Sequence, residues 1–101
     1  MAEVTEFTLH VKPGHYEQVA EIYSEFAHDY LELNPSLISV LVVGDPGQGI
    51  VRGIGVFNTA ADAAAVNSDQ IFANFNDQIA PLISGNPERV LLDLLHAWSK
   101  V

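Results

Sequence analysis

"SLISVLVVGDPGQGIVRGIGVFN", residues 36–58, reads as two strands joined by a turn. Residues 36–45 form a β-rich apolar run, and "IVRGIGVFN" at 50–58 forms another. Between them "DPGQG" (45–49) supplies proline and glycine, so the stretch predicts a hairpin. A hairpin in the middle of a chain of 101 residues constrains its flanks. A helical segment on each side and a strand at each end would complete the order β-α-β-β-α-β.

Both flanks carry that period. Upstream, Val19, Ile22, Tyr23, Phe26, Tyr30 and Leu33 recur at three- and four-residue steps over residues 15–33, as one face of a helix requires. Glu17, Glu21, Glu25, His28, Asp29 and Glu32 fall on the other side and read as a solvated face. "NP" at 34–35 stops the helix, because the residue before proline is pushed out of the α region. Downstream, Thr59 is placed to cap "TAADAAAV", with Asp62 at the acid position of a capping box. "NSD" (67–69) interrupts that helix. A second segment places Ile71, Phe72, Phe75, Ile79, Leu82 and Ile83 on one stripe, and Pro81 ends or kinks it.

The chain ends supply the outer strands. Residues 3–12 alternate Phe7, Leu9 and Val11 with Glu6, Thr8 and His10, then break at "KPGH" (12–15). After the stop "SGNP" (84–87), "ERVLLDLLHAWSKV" (88–101) is expected as the last strand, with a helix the alternative for so short an apolar run. The expected fold is α+β: a ferredoxin-like four-stranded antiparallel sheet with two helices on one face, in a single domain over residues 1–101.

Two helices cover only one face of such a sheet. Ile38, Val40 and Val42 are expected on one side of strand two, with Leu37, Leu41 and Val43 on the other. Strand three sets Ile50, Ile54 and Val56 opposite Val51 and Phe57, and strand four sets Val90, Leu92, Leu94 and Trp98 opposite Leu91, Leu95 and Ala97. An open antiparallel sheet would alternate apolar with polar. Both faces here are greasy, and leaving one wet would exceed the patch size soluble monomers tolerate. A second copy is the expected cover, giving a homodimer with sheets face to face. Glu6, Thr8 and His10 would then point into the dimer interior near Arg52. Glu6, Arg52, Asp93 and His96 are read as an interior polar cluster, paired because buried charges need partners.

Composition narrows the partners. The formal charge of −9, with only Lys12, Arg52, Arg89 and Lys100 as cations, repels phosphate backbones and anionic membranes. No nucleic-acid or membrane partner is expected. The absence of cysteine removes disulfides and thiolate chemistry. "MAEVTEF" lacks the regions of a signal peptide, so a cytoplasmic location is expected.

"HVKPGHYEQVAEIYSEF", "GVFNTAADAAAV" and "FANFNDQIAPLISGNPERVLLDLL" resemble the antibiotic-biosynthesis-monooxygenase-type members of the dimeric α/β-barrel superfamily. The resemblance spans nearly the whole chain. It implies a ligand pocket between sheet and helices, which on this sequence is the side of Phe7, Leu9, Gly53, Gly55 and Phe57, walled by Phe26, Phe72 and Phe75 with Tyr23. Gly53 and Gly55 carry no side chain, so they leave space there or let a helix pack close. The resemblance also implies cofactor-independent oxygenation of aromatic molecules. Haem-degrading relatives carry an asparagine and a tryptophan where Phe7 and Phe57 stand, and a histidine in the second helix, which "IFANFNDQIAP" lacks; haem degradation is disfavoured.

Oxygenation without a cofactor needs a dry pocket and a base near pKa 7. His10 or His28 is the expected base if either reaches the pocket, and Tyr23 or Tyr30 could hydrogen-bond a ligand oxygen. No metal is expected: no histidine pair has i, i+4 spacing on a helix, and a site from His10, His96 and Glu6 or Asp93 is the one conceivable grouping. The leading expectation is a small dimeric enzyme acting on an apolar or aromatic molecule, with cofactor-independent monooxygenation as the activity the resemblance implies. The alternative is a non-catalytic ligand-binding or structural dimer, which predicts a filled core on the helix side.

Overall fold

The computed structural model describes residues 2–100. The order is β1 (Glu3–His10), α1 (Tyr16–Leu33), β2 (Leu37–Asp45), β3 (Ile50–Phe57), α2 (Ala60–Ala65), α3 (Gln70–Ile79) and β4 (Glu88–Asp93). Short 3-10 turns at Val66–Ser68 and Ala80–Leu82 follow α2 and α3. The four strands form one antiparallel sheet in the order β2-β3-β1-β4. This is the expected ferredoxin-like α+β fold, with the second helix divided in two. None of the helices among the described residues is long and apolar enough to cross a membrane.

Local chemistry accounts for the joints. In the hairpin turn Asp45 Oδ1 accepts from the amides of Gly47 (3.0 Å) and Gln48 (3.2 Å), and Gly49 takes φ +67°. That left-handed backbone favours glycine, which has no Cβ to clash. Thr59 caps α2 by accepting from the Asp62 amide at 3.1 Å. Asp69 interrupts the helix because it caps the next one, its Oδ1 accepting from the Ile71 amide at 2.9 Å. The acidic face of α1 is exposed; Val19, Tyr23, Ala27 and Tyr30 are buried, while Leu33 in its last turn stays out.

Two strand expectations are corrected. A register shift between Leu37 and Ser39 places an extra residue in β2. Leu37 therefore joins Val40 and Val42 on the helix side, and Ile38 is left 53% exposed. The bulge breaks the period of two from which its face was read. The last strand also stops early. Glu3, at the start of β1, pairs with Asp93, and the Leu94 amide donates to Ala2 O. The pairing of β4 with β1 ends there. Leu95 and Trp98 lie outside the sheet, exposed, and Val101 lies outside the described residues.

The inner face packs in two clusters. Leu9, Val19, Val51, Phe75 and Ile79 are essentially solvent-free in the first; Tyr30, Leu37, Phe57, Ala63 and Val66 form the second. The outer face carries Leu41, Val43, Val90 and Leu92, all about half exposed, beside Ile54 and Val56.

Tyr23 joins α1 to the sheet. Its hydroxyl donates to Phe7 O at 3.1 Å and fills the space above Gly53: a Cβ there would meet the hydroxyl oxygen at 2.1 Å. Gly53 thus admits a close approach, whereas a Cβ on Gly55 would meet only ordinary contacts at 3.4 and 3.5 Å. Gly53→Ala should cost about 1–3 kcal/mol through overpacking, while Gly55→Ala should change stability by less than about 1 kcal/mol. Equal urea midpoints for the two variants would refute this account. Burial pushes the Tyr23 phenol well above its ordinary value of 10.0, against a smaller lowering by the Gly53 backbone. The unfolded chain therefore loses this proton first, and stability should be intact below about pH 10 and fall above it. Tyr23→Phe should lose about 1 kcal/mol at neutral pH yet decline less steeply in alkali, as urea titrations at both pH values would show.

Candidate functional site

A recess lies where the two core clusters meet, between the sheet and the helices. β1 contributes Thr5 and Phe7, β2 contributes Leu37 and Val40, β3 contributes Gly53, Gly55 and Phe57, and β4 contributes Arg89. Tyr23, Phe26, Ala27 and Tyr30 of α1 close it from above, with Val66 and Phe72. The recess measures about 510 Å³ with its mouth open to solvent, but its clear interior is only about 60 Å³. Sites that enclose a drug-sized molecule have roughly 300–1,000 Å³. A flat ring enters only if a wall side chain turns. Phe7, Phe26 and Phe72 are half-buried wall rings. Phe26 stacks on Phe75 with centroids 4.2 Å apart, and Phe72 meets Phe7 edge-on at 5.3 Å.

The expected pocket residues divide. Phe7, Phe26, Gly53, Gly55, Phe57, Phe72 and Tyr23 line the recess. Leu9 and Phe75 do not: both belong to the filled core beside it. The Tyr23 hydroxyl is already committed to Phe7 O.

The two histidines proposed as bases lie elsewhere. His10 is an even-numbered residue of β1 and so points to the outer face, where Nε2 meets Glu88 Oε1 at 2.7 Å. His28 lies on the solvent side of α1, 3.5 Å from Asp29 and 3.4 Å from Glu32. The interior polar cluster does not assemble either. Arg52 Nε donates to Thr8 Oγ1 at 2.8 Å instead of pairing with Glu6 or Asp93. Asp93 faces Glu3 across the strand pair, and His96 follows β4, stacked on Trp98. The antiparallel register puts His10 and His96 at opposite ends of β1, so the conceivable metal grouping does not form.

Arg89 and Thr5 are functional candidates that sequence reasoning missed. Arg89 pairs with Phe7 across β1 and β4, and Thr5 pairs with Leu91, so they are diagonal neighbours on the inner face. Arg89 Nη2 donates to Ala63 O at 2.8 Å, and Nη1 donates to Asn67 Oδ1. Its Nε is buried without a partner, and so is Thr5 Oγ1. No carboxylate among the described residues forms an ion pair with Arg89. The available signal was alternation: with Val90 and Leu92 outward, Arg89 has to point inward. Nearby, burial raises the Tyr30 phenol, a hydrogen bond to Asn34 opposes that rise, Asp69 adds to it, and the Arg89 charge opposes it.

No family model matches the sequence, and no curated protein does. Solved structures do resemble it. A protein of unknown function from Nitrosomonas europaea has a TM-score of 0.84 at 20% identity, over 99% of this chain and 95% of the other. A protein assigned as an antibiotic biosynthesis monooxygenase from Nitrosomonas europaea has a TM-score of 0.82 at 17% identity, over 93% and 99%. SnoaB, a cofactor-independent oxygenase from Streptomyces nogalater, has a TM-score of 0.77 at 10% identity, over 95% of each chain. At these identities the shared property is the fold: this chain has the ferredoxin-like βαββαβ architecture of structures named as antibiotic biosynthesis monooxygenases.

Proposed function

We propose that the protein is a homodimeric enzyme acting on a flat apolar or aromatic small molecule, as a cofactor-independent monooxygenase. The observation that carries this reading is the recess: aromatic rings on its walls, almost no polar surface, and a place between sheet and helices. The likeness to a named cofactor-independent oxygenase supports it. The chemistry balances on substrate and O2 alone. An activated ring CH2 loses a proton, leaving a carbanion delocalised onto a ring oxygen. One electron passes to O2, and the radical pair joins as a C–O bond. The protonated peroxide then eliminates water, leaving a carbonyl. The carbon loses four electrons, and O2 ends as the carbonyl oxygen and the water oxygen.

The outer face supports the dimer. Leu41, Val43, Val90 and Leu92 are about half exposed on a four-stranded surface, which suits a second copy of the same sheet. Leu41→Lys with Leu92→Lys should give a folded subunit that sediments alone at micromolar concentration, where the parent sediments as a pair. A parent that sediments alone would sink the dimer.

A second reading has its own observation. The narrow clear interior, with no imidazole or carboxylate on its lining, suits a non-catalytic binding or structural dimer. Oxygen uptake with a fused-ring anthrone separates the two. The enzyme should consume one O2 per ketone formed. Gly55→Leu, which fills the recess, should cut that rate at least tenfold with the fold retained. Binding without uptake across a panel of such ketones would favour the non-catalytic reading.

A further inference from the structure

We propose that the Arg89 Nε–H and the Thr5 hydroxyl together form an anchor for one acceptor oxygen of the ligand, selecting aromatic molecules that carry a phenolate or enolate oxygen. This rests on the reading of the recess as an aromatic site and deepens it. Three observations support the assignment. Both residues line the recess, and in each one polar atom, Arg89 Nε and Thr5 Oγ1, is enclosed without a hydrogen-bond partner. Nearly all buried polar groups are paired, so two orphans in one apolar hollow call for an absent partner. The two residues are diagonal neighbours on adjacent strands, close enough to converge on a single atom.

The chemistry of the pair sets the class. A guanidinium only donates, so the Arg89 side requires an acceptor; a threonine hydroxyl can donate as well. Arg89 also lacks a counter-anion among the described residues. The residue is half-buried with its Nε enclosed, and an anionic oxygen would supply the missing half of the pair. Its two other nitrogens are held by Asn67 and the Ala63 carbonyl, so the guanidinium is already oriented before a ligand arrives. A nearby cation favours the ionised form of an acid. The anchor would therefore draw a bound phenol or enol toward its anion without a general base, which accounts for a lining that contains neither histidine nor carboxylate.

The test uses 2-naphthol, naphthalene and the 2-naphthylmethylammonium ion, with ligand fluorescence reporting binding and naphthol ionisation. 2-Naphthol should bind at least tenfold more tightly than naphthalene, the ammonium ion weakest, and the apparent pKa of bound naphthol should fall. Thr5→Val keeps the shape of the site and should weaken naphthol about tenfold while leaving naphthalene unchanged. Arg89→Met should abolish both the preference and the pKa shift. Arg89 also ties β4 to α2, so Thr5→Val serves as the variant that leaves that tie intact. Equal binding of naphthol and naphthalene, or loss of both ligands together in Thr5→Val, would overturn the anchor and leave the aromatic recess standing. Binding of none of the three would remove the recess reading and the anchor with it.

Discussion

A sheet with two apolar faces and helices for only one of them governs this molecule. α1 and the α2–α3 segment cover the face of Leu9, Val51 and Phe57. They leave Leu41, Val43, Val90 and Leu92 to water or to another protein. The same shortage of cover shapes the inner side. α2 has six residues and ends in a 3-10 turn before α3 begins, so the second helical layer is discontinuous. Val66 in the turn and Phe72 in α3 form the wall of the recess there. The hollow is thus a consequence of how the helical layer is divided at Asp69.

Most of the fold could be read from local chemistry. The hairpin turn, the Thr59 cap, the stop at Asn34 and the break at Asn67–Asp69 each have a mechanism within four residues of themselves. The two errors in the strands have another origin. The bulge after Leu37 is set by the pairing of β2 with β3, and β4 ends where its pairing with β1 ends. Neither leaves a mark in its own segment: Leu94, Leu95 and Trp98 are as suited to a strand as Val90 and Leu92. Strand length is a property of the pair, and a reading of one segment cannot supply its partner.

The candidate site was readable in its apolar part and not in its polar part. Phe7, Phe26, Phe57 and Phe72 follow from strand alternation and helical period, and so they fall where expected. The polar residues were sought by type, and histidines draw attention because they titrate near neutrality. Position argued otherwise. His10 shares the outward parity of Thr8, and His28 sits among acids on the wet side of α1. In the sequence Arg89 stands out only as one of four lysines and arginines. Its inward parity became decisive only once β4 was aligned with Phe7.

Charge adds a further constraint to the proposed site. The chain carries a formal charge of −9 with four lysines and arginines, and two of the four are committed to the sheet: Arg52 on the outer face and Arg89 on the inner. The field outside the molecule is therefore negative, and it opposes the approach of a ligand that is already an anion. Among the residues lining the recess the charged side chain is the Arg89 guanidinium, in surroundings where Coulomb forces are less screened than in water. The two effects act on different forms of one molecule. A weak acid meets no repulsion on entry while neutral, and gains from Arg89 only after losing its proton. A strong acid is repelled at the surface, and a neutral hydrocarbon gains nothing at the anchor. On the proposed reading the site favours aromatic molecules whose hydroxyl or enol is protonated in solution and ionises once bound, and those are the ring systems whose anions are electron-rich enough to give an electron to O2.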